Sequence, residues 1–221
     1  MSVTTTSRPR LKLLPRSAYR GVNQADPIRF YYWPVLGGMY RRRVELCLGE
    51  CTGGKRVLEV GFGTGLTFLN LRERYEEIHG LDLTADVEEI RTLFAGHGIP
   101  THLANGDVTQ MPYADGTFDT VLLISILEHL RPEQQDAAFT EIRRVLRPGG
   151  QVVYGVPVER LFMVVAFRCL GCNIREHHFS TEQDVRAAAG RHFDEVRVIP
   201  MYSTPPIFGQ VYEVGHFRKG Q

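Results

Sequence analysis

Short apolar runs alternate with segments of helical spacing along most of this chain, and the alternation begins near Lys55. Val57-Leu-Glu-Val60 is an apolar run interrupted by one acid, and it stops where Gly61, Gly63 and Gly65 alternate with other residues. Leu66 to Arg74 follows with apolar residues at helical intervals, so the first unit reads strand, glycine turn, helix. Glu77 to Leu83, Leu103 to Asp107 and Phe118 to Ile124 read as the next three strands. Phe139, Ile142, Val145 and Leu146 recur at helical spacing in the segment 137–146. Arg147-Pro-Gly-Gly150 then turns the chain into a strand over Gln151 to Val156. Phe193 to Ile199 and Gly209 to Phe217 suit two closing strands. Strands that alternate with helices predict a doubly wound, mostly parallel α/β sheet of seven strands, covered on both faces.

The glycine turn is the first candidate for chemistry. Gly61, Gly63 and Gly65 tolerate positive φ and keep side chains off the turn, so a ligand can lie against the main chain. A dinucleotide fingerprint would space its glycines GxGxxG, and a phosphate-gripping GxxxxGK[ST] is absent. Glu59, just before the turn, would repel a phosphate and favour an ammonium group. Asp82 closes the next strand, 21 residues beyond Gly61. There, two carboxylate oxygens can accept two vicinal ribose hydroxyls, or Asp82 caps the following helix with Thr84 and Asp86 as rival caps. Asp107, in Asn105-Gly-Asp-Val108, is either a ligand-facing acid or a turn aspartate.

With these residues in order, the chain resembles the class I S-adenosylmethionine-dependent methyltransferases from about Lys55 onward. The resemblance implies a Rossmann-like sheet whose last strand inserts antiparallel. It implies a cofactor site on Glu59, Gly61, Phe62, Gly63, Thr64, Gly65, Asp82, Leu83, Asp107, Val108 and Ser125. In it, Glu59 lies near the methionine ammonium, Asp82 at the ribose and Asp107 at the adenine amino group, with Val108 packed on the ring. The stretch after the fourth strand, from Ser125, contributes backbone contacts to the methionine end.

Length and charge add a second region. The 221 residues, 43% of them hydrophobic, suffice for one domain with a sizeable core. The net charge of +1 argues against a chain-wide nucleic-acid footprint. Residues 1–43 nevertheless hold nine Lys/Arg against the single acid Asp26, a local +8, and the remainder carries −7. Met1 to Gly21 is expected to be flexible, and Pro9 and Pro15 interrupt any amphipathic presequence helix. The segment 28–48 is dense in aromatics, with Arg41, Arg42 and Arg43 beside them. It reads as a lid packed over the ligand edge of the sheet, or as a peripheral contact with an anionic membrane. We therefore divide the chain into an arm, 1–43, and a methyltransferase domain, 44–221. A cap at about 157–179 would enclose an apolar acceptor such as a lipid, quinone or polyketide-like compound. No secretory segment and no apolar run long enough to cross a bilayer is seen, which predicts a soluble, cytoplasmic protein.

Cys169 and Cys172 have ligand-like spacing, but Cys47 and Cys51 lie on a helix 117 residues away, so reduced, buried thiols and no metal are expected. The candidate bases are His129, in Ser125-Ile-Leu-Glu-His129, and His178. The competing reading of His177-His178-Phe-Ser180 is the start of a helix capped by Ser180. Methyl transfer demands mainly alignment, and a base where the acceptor is a hydroxyl. The implied function is methyl transfer from S-adenosylmethionine to a small molecule or lipid, with lipid N-methylation of the phosphatidylethanolamine type as one variant. A nicotinamide-dependent oxidoreductase and a non-catalytic cofactor-binding protein are the alternatives from other classes.

Overall fold

In the computed structural model, residues 9–19, 28–34, 37–158, 179–203 and 209–221 are described. The apolar runs become strands β1 (Gly54–Val60), β2 (Tyr75–Asp82), β3 (Thr101–Asn105), β4 (Phe118–Ile124), β5 (Leu146–Pro157), β6 (Asp194–Tyr202) and β7 (Gln210–Arg218). They form one sheet in the order β3-β2-β1-β4-β5-β7-β6. The pairs among β1 to β5 are parallel, whereas β7 runs antiparallel between β5 and β6. The helices are α1 (Ile28–Tyr31), α2 (Gly37–Glu50), α3 (Phe68–Leu71), α4 (Val87–Gly96), α5 (Pro132–Val145) and α6 (Glu182–His192).

The central strands are buried on both faces, and successive residues feed different cores. Val57, Ile78, Leu122 and Val153 pack with Leu48, Ile90 and Phe94 on the face of α2 and α4. Leu58, Val121, Leu123 and Val152 pack with Phe139, Ile142 and Val185 on the face of α5 and α6. Tyr154 fills the second core, fully buried and stacked on Phe217 at 5.8 Å. Its cross-strand partner is Gly215, where an added Cβ would stand 2.3 Å from Tyr154 Cζ. Gly215→Ala is therefore expected to destabilise the fold by about 1–3 kcal/mol through overpacking. Denaturant unfolding tests this, and an unchanged midpoint would contradict the packing argument.

Several expectations are corrected. The helix expected over Leu66 to Arg74 is only Phe68–Leu71; Thr67, just before it, donates its hydroxyl to Glu59, and Asn70 within it bonds the N-terminal segment. Asn70 takes the Lys12 N–H on Oδ1 and donates to the Arg10 carbonyl, both at 2.9 Å. Leu11, Leu14 and Tyr19 are buried, so residues 9–19 are packed rather than flexible. Helix α2 runs without a break through position 43. Helix α6 is capped by Thr181, whose hydroxyl accepts from Asp184 N–H. Ser180 instead donates to the Leu130 carbonyl at 2.7 Å. Of the expected cap, only Pro157, Val158 and Phe179 lie within the described residues, and His178, Cys169 and Cys172 fall outside them. Among the described residues no helix is long and apolar enough to cross a membrane.

Candidate active site

Strand order reverses between β1 and β4, and at that switch point the carboxyl ends of β1, β2 and β4 open into a cleft of about 660 Å³. The glycine turn forms its floor. Gly61, Gly63 and Gly65 have φ of 71°, 52° and 70°. Gly61 N–H donates to the Leu81 carbonyl at 2.7 Å and Gly63 N–H to Asp82 Oδ2 at 3.0 Å, so the turn is tied to β2. A Cβ on Gly61 would stand 2.0 Å from Ile126 Cδ1, which itself lines the cleft. Gly65 and the fully buried Thr64 lie beneath the turn and do not line the cleft; a Cβ on Gly65 would strike Phe68 and Phe94.

The acids stand around this floor. Glu59 is buried at the end of β1 and accepts from the Thr67 hydroxyl. Asp82 accepts the Thr84 and Ala85 N–H groups on Oδ1, both at 2.9 Å, besides Gly63 on Oδ2. A carboxylate has about four lone-pair sites, so one acceptor direction remains on Oδ2. The match of two oxygens to two hydroxyls expected from the sequence is thereby reduced to one. Helix capping is not its role, because Asp86 caps α4 by accepting from Glu89 N–H. Asp107 lies just beyond β3 rather than within it, and its Oδ1 accepts from both the N–H and the hydroxyl of Thr109 at 2.8 Å. Phe62 and Val108 present buried apolar surface to the cleft, whereas Leu83, 70% exposed, sits at its edge.

Ser125, the first residue past β4, holds φ at 58°, the one positive value on a non-glycine among the described residues. Such strain persists only where surrounding contacts impose it. Here Ser125 N–H donates to the Gly155 carbonyl at 2.8 Å, and its hydroxyl pairs with Tyr212 Oη at 3.0 Å. Burial pushes the Tyr212 phenol well above its ordinary pKa, so it stays protonated. His129 lines the same cleft from its exposed side.

The segment 57–150 matches a family model described as a methyltransferase domain. Over 201 residues the chain is 29% identical to the malonyl-[acyl-carrier protein] O-methyltransferase of Geobacter sulfurreducens, covering 83% of this chain and 74% of that one. It is 40% identical over 104 residues to the fatty-acid O-methyltransferase of Mycolicibacterium smegmatis, covering 46% and 36%. The crystal structure of the N-methyltransferase NodS from Bradyrhizobium japonicum, in complex with S-adenosyl-l-homocysteine, superposes with a TM-score of 0.67 at 19% identity, covering 93% and 97%. Together these likenesses support a class I S-adenosylmethionine-dependent methyltransferase. It is an enzyme whose cofactor is S-adenosylmethionine, and the dinucleotide and non-catalytic readings are set aside. Beyond the Geobacter protein, the chain spans as little as 36% to 47% of the next curated relatives.

Two residues of this methyltransferase that sequence reasoning did not place in the site come from the arm. Tyr31, buried in α1, and Arg43, on α2, both line the cleft. Arg43 Nη2 donates to Tyr31 Oη at 3.0 Å, and its guanidinium lies 4.3 Å over the Tyr40 ring. Its Nε is shielded from solvent without a hydrogen-bond partner. The signal available in the sequence was Arg41-Arg-Arg43 at helical distance from Val44 and Cys47, which puts one arginine of the three on the buried side. The thiols of Cys47 and Cys51 are both buried, and burial pushes Cys51 up to about 12, so neither is an ionised ligand or nucleophile at neutral pH.

Proposed function

We propose that this methyltransferase O-methylates the free carboxylate of an apolar acyl compound. The observation that carries this reading is the state of the acids in the cleft. Glu59 is engaged by Thr67, Asp82 by three N–H groups and Asp107 by Thr109, so none of the three acids is placed as a general base, and His129 on the exposed side of the cleft is the candidate base that remains among the described residues. A hydroxyl or ammonium acceptor must lose a proton before or during transfer, whereas a carboxylate is already ionised at neutral pH. The acceptors in the names of the Geobacter and Mycolicibacterium relatives, a malonyl group and a fatty acid, both carry one.

S-adenosylmethionine, when bound, supplies a methyl group activated by its sulfonium. The cleft fits that molecule in charge as well as shape. A zwitterionic amino-acid end needs an acid and a base close together, and the cleft offers buried Glu59 for the ammonium and Arg43 with Tyr31 for the carboxylate. Asp82 would accept one ribose hydroxyl on its remaining direction, and Asp107 with Val108 would meet the adenine. The bare main chain at Gly61 and Gly63 leaves room for the ligand, and Ile126, His129 and Leu130 would flank the acceptor. The chain's own contribution is alignment of the acceptor oxygen and exclusion of water.

Incubation of the full chain with methyl-labelled cofactor and a series of fatty acids and malonyl thioesters tests this directly. Methyl esters release labelled methanol in alkali, and that release is the expected result. Label held in an alkali-stable product from an amine or phenol, including phosphatidylethanolamine, would overturn the carboxylate reading and leave cofactor use intact.

A further inference from the structure

Away from the cleft, the parallel register of β2 and β3 brings two imidazoles and a carboxylate together. Glu77 and His79 are two residues apart on β2 and so share a face, and His102 on β3 is the registered partner of His79. The imidazole rings stack at 4.7 Å, and one ligand atom from each of the three side chains lies within 4.8 Å of the others. His79 Nε2 is buried and makes no hydrogen bond, facing Glu77 Oε2 at 3.5 Å, beyond good hydrogen-bonding distance. The His79 ring is held in place by the edge contact with Phe118 at 5.2 Å.

We propose that Glu77, His79 and His102 bind one zinc-like divalent cation, with solvent completing the coordination. Two imidazole nitrogens and a carboxylate oxygen suit zinc rather than the all-oxygen preference of calcium or magnesium. Two of the ligands sit on one strand and the third on its neighbour, so the sheet itself sets their separation. Arg56, on β1, donates from Nε to Glu77 Oε2 at 2.7 Å, a contact that orients the carboxylate and leaves its second oxygen for a metal. The same guanidinium repels a dication, so the site is one of moderate affinity. Because an imidazole must be unprotonated to ligate a metal, zinc and protons compete for the site.

Calorimetric titration of the full chain with zinc alone is expected to give one equivalent at this site. His102→Ala removes an exposed ligand and spares the core, and it should weaken zinc binding by more than about a hundredfold, beyond the roughly ten- to hundredfold that loss of an outer contact causes. Zinc should raise the unfolding midpoint of the wild type and leave that of His102→Ala unchanged. Cobalt substitution separates this site from the cysteines: an optical spectrum without thiolate charge-transfer bands, unaltered in Cys169→Ser/Cys172→Ser, is the supporting outcome. No binding, equal affinity in His102→Ala, or thiolate bands lost in the double serine variant would each overturn the proposal.

Discussion

Asp82→Ala is expected to weaken binding of S-adenosylhomocysteine, the stable product form of the cofactor, by roughly a hundredfold while the protein stays folded. Two effects act together. One is loss of a charge-assisted hydrogen bond to the ribose, about 1.5–3 kcal/mol, which alone is roughly ten- to hundredfold. The other is release of the Gly63 N–H and of the Thr84–Ala85 turn, all three of which Asp82 now holds. Without that tie the glycine turn loses its link to the end of β2, and the bare main chain is no longer presented in one conformation. Asp82→Asn separates the two effects, since the amide oxygen keeps some of the acceptor contacts and the NH₂ group cannot accept at all. Calorimetry should place it between wild type and Asp82→Ala. An alanine variant that binds within about threefold of wild type would remove Asp82 from the ligand-binding role and leave it a loop-holding one.

What could be read beforehand was local. The glycine turn, the acid that precedes it, the acid that ends β2 and the acid just beyond β3 are set by backbone chemistry within a few residues, and the cleft gathers Glu59, Asp82 and Asp107 around the turn. The sheet was equally legible, because runs such as Phe118–Ile124 are too short and too apolar for anything but strands buried on both faces. What stayed hidden depended on partners far along the chain. Asn70 stays within the short helix, but its amide is tied to the backbone at Arg10 and Lys12, a contact about 60 residues away in sequence. Arg43 counts as one charge in a basic arm until α2 is laid beside β4 and β7. His79 and His102 meet only through a parallel register 23 residues apart, which no periodicity reveals. Asp82 was assigned a free carboxylate, and the tight turn at Thr84 and Ala85 takes up half of it.

Arg43→Met should separate folding from ligand binding more cleanly than any change on the glycine turn. In the free protein the guanidinium contributes one hydrogen bond to Tyr31 and a contact over the Tyr40 ring, against the cost of a shielded Nε with no partner. A cation over an aromatic face contributes about 0.5–2 kcal/mol, and methionine keeps the apolar volume, so the stability of the free protein should change by no more than about 1 kcal/mol. With the cofactor bound, the same substitution leaves the methionine carboxylate facing a low-dielectric wall without its counter-charge. Removing one partner of a buried pair costs about 3–5 kcal/mol, or at least roughly a hundredfold in affinity. The difference is visible in thermal unfolding with S-adenosylhomocysteine. At a concentration about 100 times the wild-type Kd the ligand adds about 2.7 kcal/mol, and at a Kd weakened about a hundredfold it adds only about 0.4 kcal/mol. A ligand-induced shift preserved in Arg43→Met would move the arginine out of the cofactor's end of the cleft and make it a candidate for the acceptor carboxylate. Arg43→Lys then decides between a point charge and a fork, because a lysine restores the charge without the paired geometry that a carboxylate prefers.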